Sequence, residues 1–505
     1  MIYLSDFIIY FLLVNIILIS ILGFGVIVSK ILDFRPLFDS TLSHYFILGL
    51  IFIGSISILI NTIIPLSDYY SILIIFLGSI IFIGYYNKIF TNFRIFLLTI
   101  LPISLLAIII SFYAGLSDDY DYHWLTILNY KNFELFQIEH ERRVSYNSHW
   151  LFLNSIFFIL NIKSSLYPLS ALLFAIIQID FFKILKKNLN HNQTIAIFTL
   201  FCLVFLFGVT NIFKDFGTDI PGAIISMFIL LNMFMCIEKK HENKFNIVIY
   251  IILLINFVIM IKITNSLIYL YFLVFLFLFN FNIKKLFSIK IFIVFLPLAL
   301  WIFQNINISG CIVWPISSLC IFNRELTYEE LYLIESFAKG DRTVLMNTDG
   351  FAWITEWFTN HFKKIIETYL VFTIFLILPL IVFKIKNKNI KFLNKILENF
   401  RIVEFKKSLF FIYPTILANL IWFFFYPAYR FGIFYNMVLI FFILYFFWFV
   451  MTDYKVFFKK VSFLLITIAM IFFIYENIIR FNWYHKKYGD IWPPIINDQI
   501  ILKYD

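Results

Sequence analysis

The sequence predicts an all-α, polytopic transmembrane helical protein, and three observations carry that fold class. Of 505 residues, 62% are hydrophobic and only 14% charged, with a mean hydropathy of +0.92. A soluble domain is nearer half apolar and a quarter charged. Apolar runs long enough to cross a bilayer recur along the whole chain. The charged residues collect between those runs, in loops that sort by charge into two sets.

The apolar runs lie at 8–29, 45–63, 70–86, 95–113, 165–184, 194–212, 219–237, 245–262, 266–282, 288–304, 364–384, 408–425, 431–450 and 461–479, which predicts about fourteen spans in a single transmembrane domain over 1–505. Residues 1–113 hold the N-terminal spans. Met1 to Phe7 carries no cluster of positive charge, so the first run is expected to remain as an anchor. The segment 114–164 is a long acidic loop with juxtamembrane helices. Within it, Asp121 opens an amphipathic helix with Trp124, Leu125, Leu128, Phe133, Leu135 and Phe136 on its apolar side. The run 149–161 is too short to span, and predicts a helix dipping into the outer leaflet or lying along it. The loop 305–363 contains a second amphipathic surface helix, Leu326 to Gly340. The basic loop 384–407 is expected to lie on anionic headgroups.

Lys30, Arg35, Lys88, Arg94, Lys186, Lys187, 238–244, Lys284, Lys285, 384–401 and 455–460 fall on one side of the spans, which the positive-inside rule makes cytoplasmic. The loops 115–148, 214–218, 309–363 and 426–430 then face out, with both termini. The formal net charge of +10 is accounted for by this topology signal, so no nucleic-acid partner is expected. Cys202 and Cys236 lie in apolar runs. Cys311 and Cys320 share an outward loop, where a disulfide is expected.

The outward loops gather a specific set of groups. Asp118, Asp119 and Asp121 put three carboxylates within four residues, followed by His123, and by Arg142, Arg143 and Asn147. Three carboxylates exceed what a helix cap requires, although a helix start also favours them. A short loop holds Asp215, Thr218 and Asp219 before Pro221; capping the next helix and facing a cavity are compatible roles for Asp219. Lys262 breaks an apolar run, either snorkelling to the surface or binding an anion. Arg430 opens a span, and its fork suits phosphate oxygens. Carboxylates take a proton from an attacking hydroxyl or hold a divalent metal such as Mg or Mn. Arg and Lys hold a phosphate leaving group, and the bilayer supplies a lipid-tailed substrate.

On these residues the chain resembles the GT-C superfamily of integral-membrane glycosyltransferases. More closely, it resembles bacterial polytopic proteins with an Asp-x-x-x-Tyr-His element, here Asp118 to His123, and an Arg-x-x-x-Asn-Ser-x-Trp element, here Arg143 to Trp150. Thr218 to Pro221, Lys262 to Thr264, Ser309 to Pro315 and Pro427 to Phe431 follow in order. The acidic loop follows the fourth apolar run here, whereas in many family members it follows the first. The resemblance implies Asp118 as the leading catalytic acid, with Asp119 and Asp121 as alternatives, and Asp219 as a second acidic residue. It implies Lys262 and Arg430 as phosphate contacts. The expected activity is transfer of a sugar from a polyprenyl-phosphate-type donor to a glycan, lipid or protein acceptor, at the extracytoplasmic face of a bacterial inner membrane. The alternatives are an O-antigen polymerase or ligase-like enzyme, and a transporter or flippase of lipid-linked glycans.

Overall fold

In the computed structural model, residues 2–34, 36, 41–90, 92–111, 123–138, 144–159, 168–208, 217–238, 243–286, 288–314, 316–322, 327, 353–386 and 403–488 are described. Their helices are α1 Ile2–Ile31, α2 Thr41–Asn61, α3 Asp68–Ile89, α4 Phe93–Ser111, α5 Trp124–Asn132, α6 His149–Phe157, α7 Pro168–Asn188, α8 Gln193–Gly208, α9 Asp219–Glu238, α10 Lys244–Ile261, α11 Ile268–Leu278, α12 Ile289–Ser309, α13 Trp353–Ile365, α14 Val371–Lys386, α15 Val403–Leu409, α16 Ile412–Phe425, α17 Ile433–Thr452 and α18 Lys455–Tyr488. No strand forms among the described residues.

Among the described residues, eleven helices are long and apolar enough to cross a membrane, and α8, α11 and α14 give shorter apolar ones. Each of the fourteen apolar runs falls on one of these helices. Burial separates them into layers. In α9, 94% of the apolar window is buried, and in α10, 89%, against 33% in α3, α4 and α12. The first two are core helices, apolar on every side. The others leave Phe76, Ile83, Leu98 and Phe292 exposed, a surface that matches lipid tails.

Among the described residues, one large apolar core runs from Tyr10 to Phe473, and Cys311 and Trp314 form a small separate cluster. α1 packs on α2 and α3, α4 on α7, α7 on α8, α9 on α10, and α10 on α12. α8 also meets α17 and α18. Small residues allow the closest of these approaches. A Cβ on Gly49 of α2 would stand 2.0 Å from the Ile21 carbonyl oxygen of α1. Side-chain oxygens start several helices: Asn192 accepts the Ile195 N–H at 2.9 Å before α8, and Asn243 accepts the Asn246 N–H at 3.2 Å before α10.

Two expectations are corrected here. α6 does not lie along a membrane surface: all nine of its residues are buried, among α2, α3, α5 and α10. Its polar residues His149, Asn154 and Ser155 are buried with the apolar ones, so the helix presents no face to water. In α5 the buried residues are Trp124, Thr126, Ile127, Tyr130 and Lys131; of the expected apolar side Trp124 and Leu135 are buried, while Phe133 and Phe136 are exposed. The helical period turns Leu125 and Leu128 to the rim of that buried set. The helix expected at 326–340 lies outside the described residues.

Candidate functional site

Three helix junctions meet at one end of the bundle. Asp219 is the first residue of α9. Lys262 follows α10 in extended backbone, with φ −158° and ψ 123°, so the helix stops there and a short turn Ile263–Leu267 leads into α11. Arg430 lies in the turn Tyr429–Gly432 between α16 and α17. Each residue therefore projects from an interruption rather than from a continuous span.

Packing brings these junctions together. Gly222, in the first turn of α9, has no Cβ, and the Asn265 amide nitrogen sits 2.3 Å from where one would be. Asn265 also donates to the Val258 carbonyl at 3.3 Å, which folds the turn back over α10. Tyr435 of α17 donates to the Thr264 carbonyl at 3.0 Å. Two indoles fix the Arg430 turn: Trp357 donates to the Pro427 carbonyl at 2.7 Å, and Trp422 to that of Ala428 at 2.9 Å.

The charges then pair. The Lys262 ammonium donates to Asp219 Oδ1, and Arg430 Nε stands 3.6 Å from Asp219 Oδ2. The second contact is an ion pair longer than a good hydrogen bond. Lys262 Nζ also lies 3.6 Å from the centroid of the Phe431 ring, a cation–π geometry. Side-chain exposure is 15% for Asp219, 17% for Lys262 and 46% for Arg430, so the cluster opens toward Arg430.

A second polar group adjoins it. Asn147 adopts φ 34°, a left-handed backbone that Asn tolerates better than most residues. Its amide donates to Asn305 Oδ1 at 2.6 Å, it accepts from the Tyr130 hydroxyl, and Trp301 donates to its carbonyl at 2.9 Å. Asn305 donates to the Ile312 carbonyl at 3.0 Å, in the loop closed by the Cys311–Cys320 disulfide. The neighbouring Ser148 donates to the Ile261 carbonyl at 2.7 Å, one residue before Lys262. A continuous chain of bonds thus links the disulfide loop to the Asp219 cluster.

The structure brings Asp219, Lys262 and Arg430 together, and Asn147 is tied to them only through its neighbour Ser148, which bonds the Ile261 carbonyl. His123 is buried at the start of α5. Asp118, Asp119, Asp121, Arg143 and Asp215 lie outside the described residues. Among the described residues, no group of three or more His, Cys, Asp or Glu side chains is placed to hold a metal ion.

Two charged residues in the apolar interior escaped the sequence reading. Lys131 is fully buried and donates to Asp68 at 2.8 Å, Ser71 at 2.8 Å and the Phe158 carbonyl at 2.7 Å. Burial pulls its ammonium below the usual lysine range, and the Asp68 carboxylate pulls it back. Lys131 clamps α5 to α3 and to the end of α6. Asp180 of α7 is fully buried and accepts the Ser43 N–H and hydroxyl, each at 2.8 Å, in the first turn of α2. Each had a visible signal: a lysine on the buried stripe of an amphipathic helix, and an aspartate inside an apolar run.

No curated protein and no solved structure matches the chain. Residues 7–437, from α1 into α17, match the family described as a domain of unknown function, DUF8201. That match takes in Asp219, Lys262 and Arg430, and the chain belongs to the DUF8201 family.

Proposed function

We propose that the protein is a GT-C-like membrane glycosyltransferase that moves a sugar from a polyprenyl-phosphate-type donor to a cell-envelope acceptor. The observation that carries the reading is the meeting of Lys262 and Arg430 around Asp219 at one end of an apolar bundle. Two cations at the membrane end suit the phosphate of a lipid-linked donor. The charge pattern of the loops supports an extracytoplasmic position for that end.

In the proposed step the acceptor hydroxyl oxygen attacks the anomeric carbon. The bond from that carbon to the phosphate oxygen breaks, and polyprenyl phosphate leaves with the electron pair. The hydroxyl proton passes to a carboxylate, for which Asp118 is the leading candidate. Asp219 already has a cation on each of its carboxylate oxygens. The test measures sugar transfer from native membrane lipid at matched protein levels. Asp118→Asn should lose about a hundred- to ten-thousand-fold in turnover. Arg430→Ala should weaken donor binding as well as turnover. Full activity in Asp118→Asn, Asp119→Asn and Asp121→Asn would remove acid–base chemistry from the acidic loop.

One observation favours a second reading, a transporter or flippase of lipid-linked glycans. Asp180 is a carboxylate buried within the bundle, and His44 of α2 packs on Tyr250 of α10 with ring centroids 4.8 Å apart. Intramembrane ionisable groups of this kind mark transport paths in many bundles. Movement of a fluorescent lipid-linked glycan across proteoliposomes, lost in Asp180→Asn, would support it.

A further inference from the structure

We propose that Asp219 occupies the place of a phosphate between Lys262 and Arg430, and that a phosphate ester binds by taking both cations from it. The proposal rests on the reading above that these two cations receive a phosphate. It adds that the chain's own carboxylate competes for both cations.

The two carboxylate oxygens are divided between the two cations. Oδ1 accepts from Lys262, and Oδ2 faces Arg430 Nε at 3.6 Å. A ligand anion approaching either cation therefore competes with Asp219. The competition is open to solvent, because the Arg430 side chain is 46% exposed. The Arg430 contact is also the longer of the two, so it is the first to exchange.

The site keeps its shape when Asp219 lets go. Lys262 remains over the Phe431 ring at 3.6 Å. The backbone on both sides is held by bonds that involve none of the three charges. Ser148 and Tyr435 anchor the Lys262 turn at Ile261 and Thr264, and Trp357 and Trp422 anchor the Arg430 turn at Pro427 and Ala428. Asp219 also keeps a partner after release, since it opens α9 and the helix N-terminus favours a negative charge. A phosphomonoester or a diphosphate brings more charge than a carboxylate, and any phosphate brings more acceptor oxygens to the Arg fork, which tips the exchange toward the ligand.

A structural role for Asp219 predicts the opposite sign. If the carboxylate only positions Lys262 and Arg430, removing its charge loosens the cations and weakens anion binding. If it occupies their place, removing its charge strengthens binding. The experiment is calorimetric titration of the purified full chain with inorganic pyrophosphate, with geranyl diphosphate run alongside. Asp219→Asn should bind pyrophosphate about tenfold tighter than wild type, the size of effect that a competing charge commonly has. Asp219→Glu, which keeps the charge, should bind no tighter. Asp219→Ala serves as the second neutral variant if Asn fails to fold, and should shift the same way. Tighter binding of geranyl diphosphate than of pyrophosphate identifies a lipid-linked phosphate, and equal binding a free one; the displacement holds in both. Equal or weaker pyrophosphate binding by the neutral variants overturns the displacement and leaves the anion site standing. Absence of binding in wild type and variants alike overturns the anion site, and the displacement with it.

Discussion

At one end of the bundle Asp219 meets Lys262 and Arg430 with 15% of its side chain exposed; at the other, Asp180 is fully buried and holds the Ser43 N–H and hydroxyl at 2.8 Å each. Both are carboxylates on helices of the same apolar core. Their partners differ in kind. Asp180 satisfies the first turn of a neighbouring helix, with Lys183 at 3.6 Å on its other oxygen. Asp219 satisfies two long, flexible cations that water also reaches. A sealed carboxylate is a joint, because leaving its donors unmet in an apolar interior is costly. An open one can exchange partners, because water supports the intermediate state. The contrast separates charge that holds the fold from charge that is available to a ligand.

Substitution at the sealed joint should give the largest effect on stability. Asp180→Ala strands the Ser43 N–H and hydroxyl, and should cost about 3 kcal/mol. Thermal unfolding in detergent checks it, and a loss below about 1 kcal/mol would erase the contrast. Lys131→Met sharpens the comparison, since Lys131 lies toward the Asp219 end and yet is sealed. It should cost about 2 kcal/mol, showing that burial rather than location decides the role. Asp219→Ala should change stability least, by about 1 kcal/mol or less, as partly solvated ion pairs do. An Asp219→Ala variant that unfolds as readily as Asp180→Ala would make both carboxylates joints.

The fold was legible where the apolar runs were long. Within the described residues each of the fourteen runs falls on a helix, eleven of them long and apolar enough to cross a membrane, because length and composition alone mark a span. The burial of α6 was not legible, because a short, mainly apolar run carries no mark that distinguishes a membrane surface from a protein interior. Lys262, Asp219 and Arg430 stood out because each is a charge at the edge of an apolar run, and a charge there has few roles. Asp180 and Lys131 were passed over for a different reason. Each is explained by a partner on another helix, Ser43 lying 137 residues from Asp180 in sequence, and such pairings appear only once the helices pack. The order of the motifs gave candidates for the site, while the division of Asp219 between two cations is a property of the packed junctions.

The central question is whether Lys262 and Arg430 hold a phosphate attached to a lipid. Native mass spectrometry of the full chain, purified gently from membranes and incubated with polyprenyl phosphate, measures this directly. Wild type should carry one bound polyprenyl phosphate, and the double variant Lys262→Met with Arg430→Ala, unfolding at a similar temperature, should carry none above background. Equal retention of the lipid by wild type and the double variant would contradict the account.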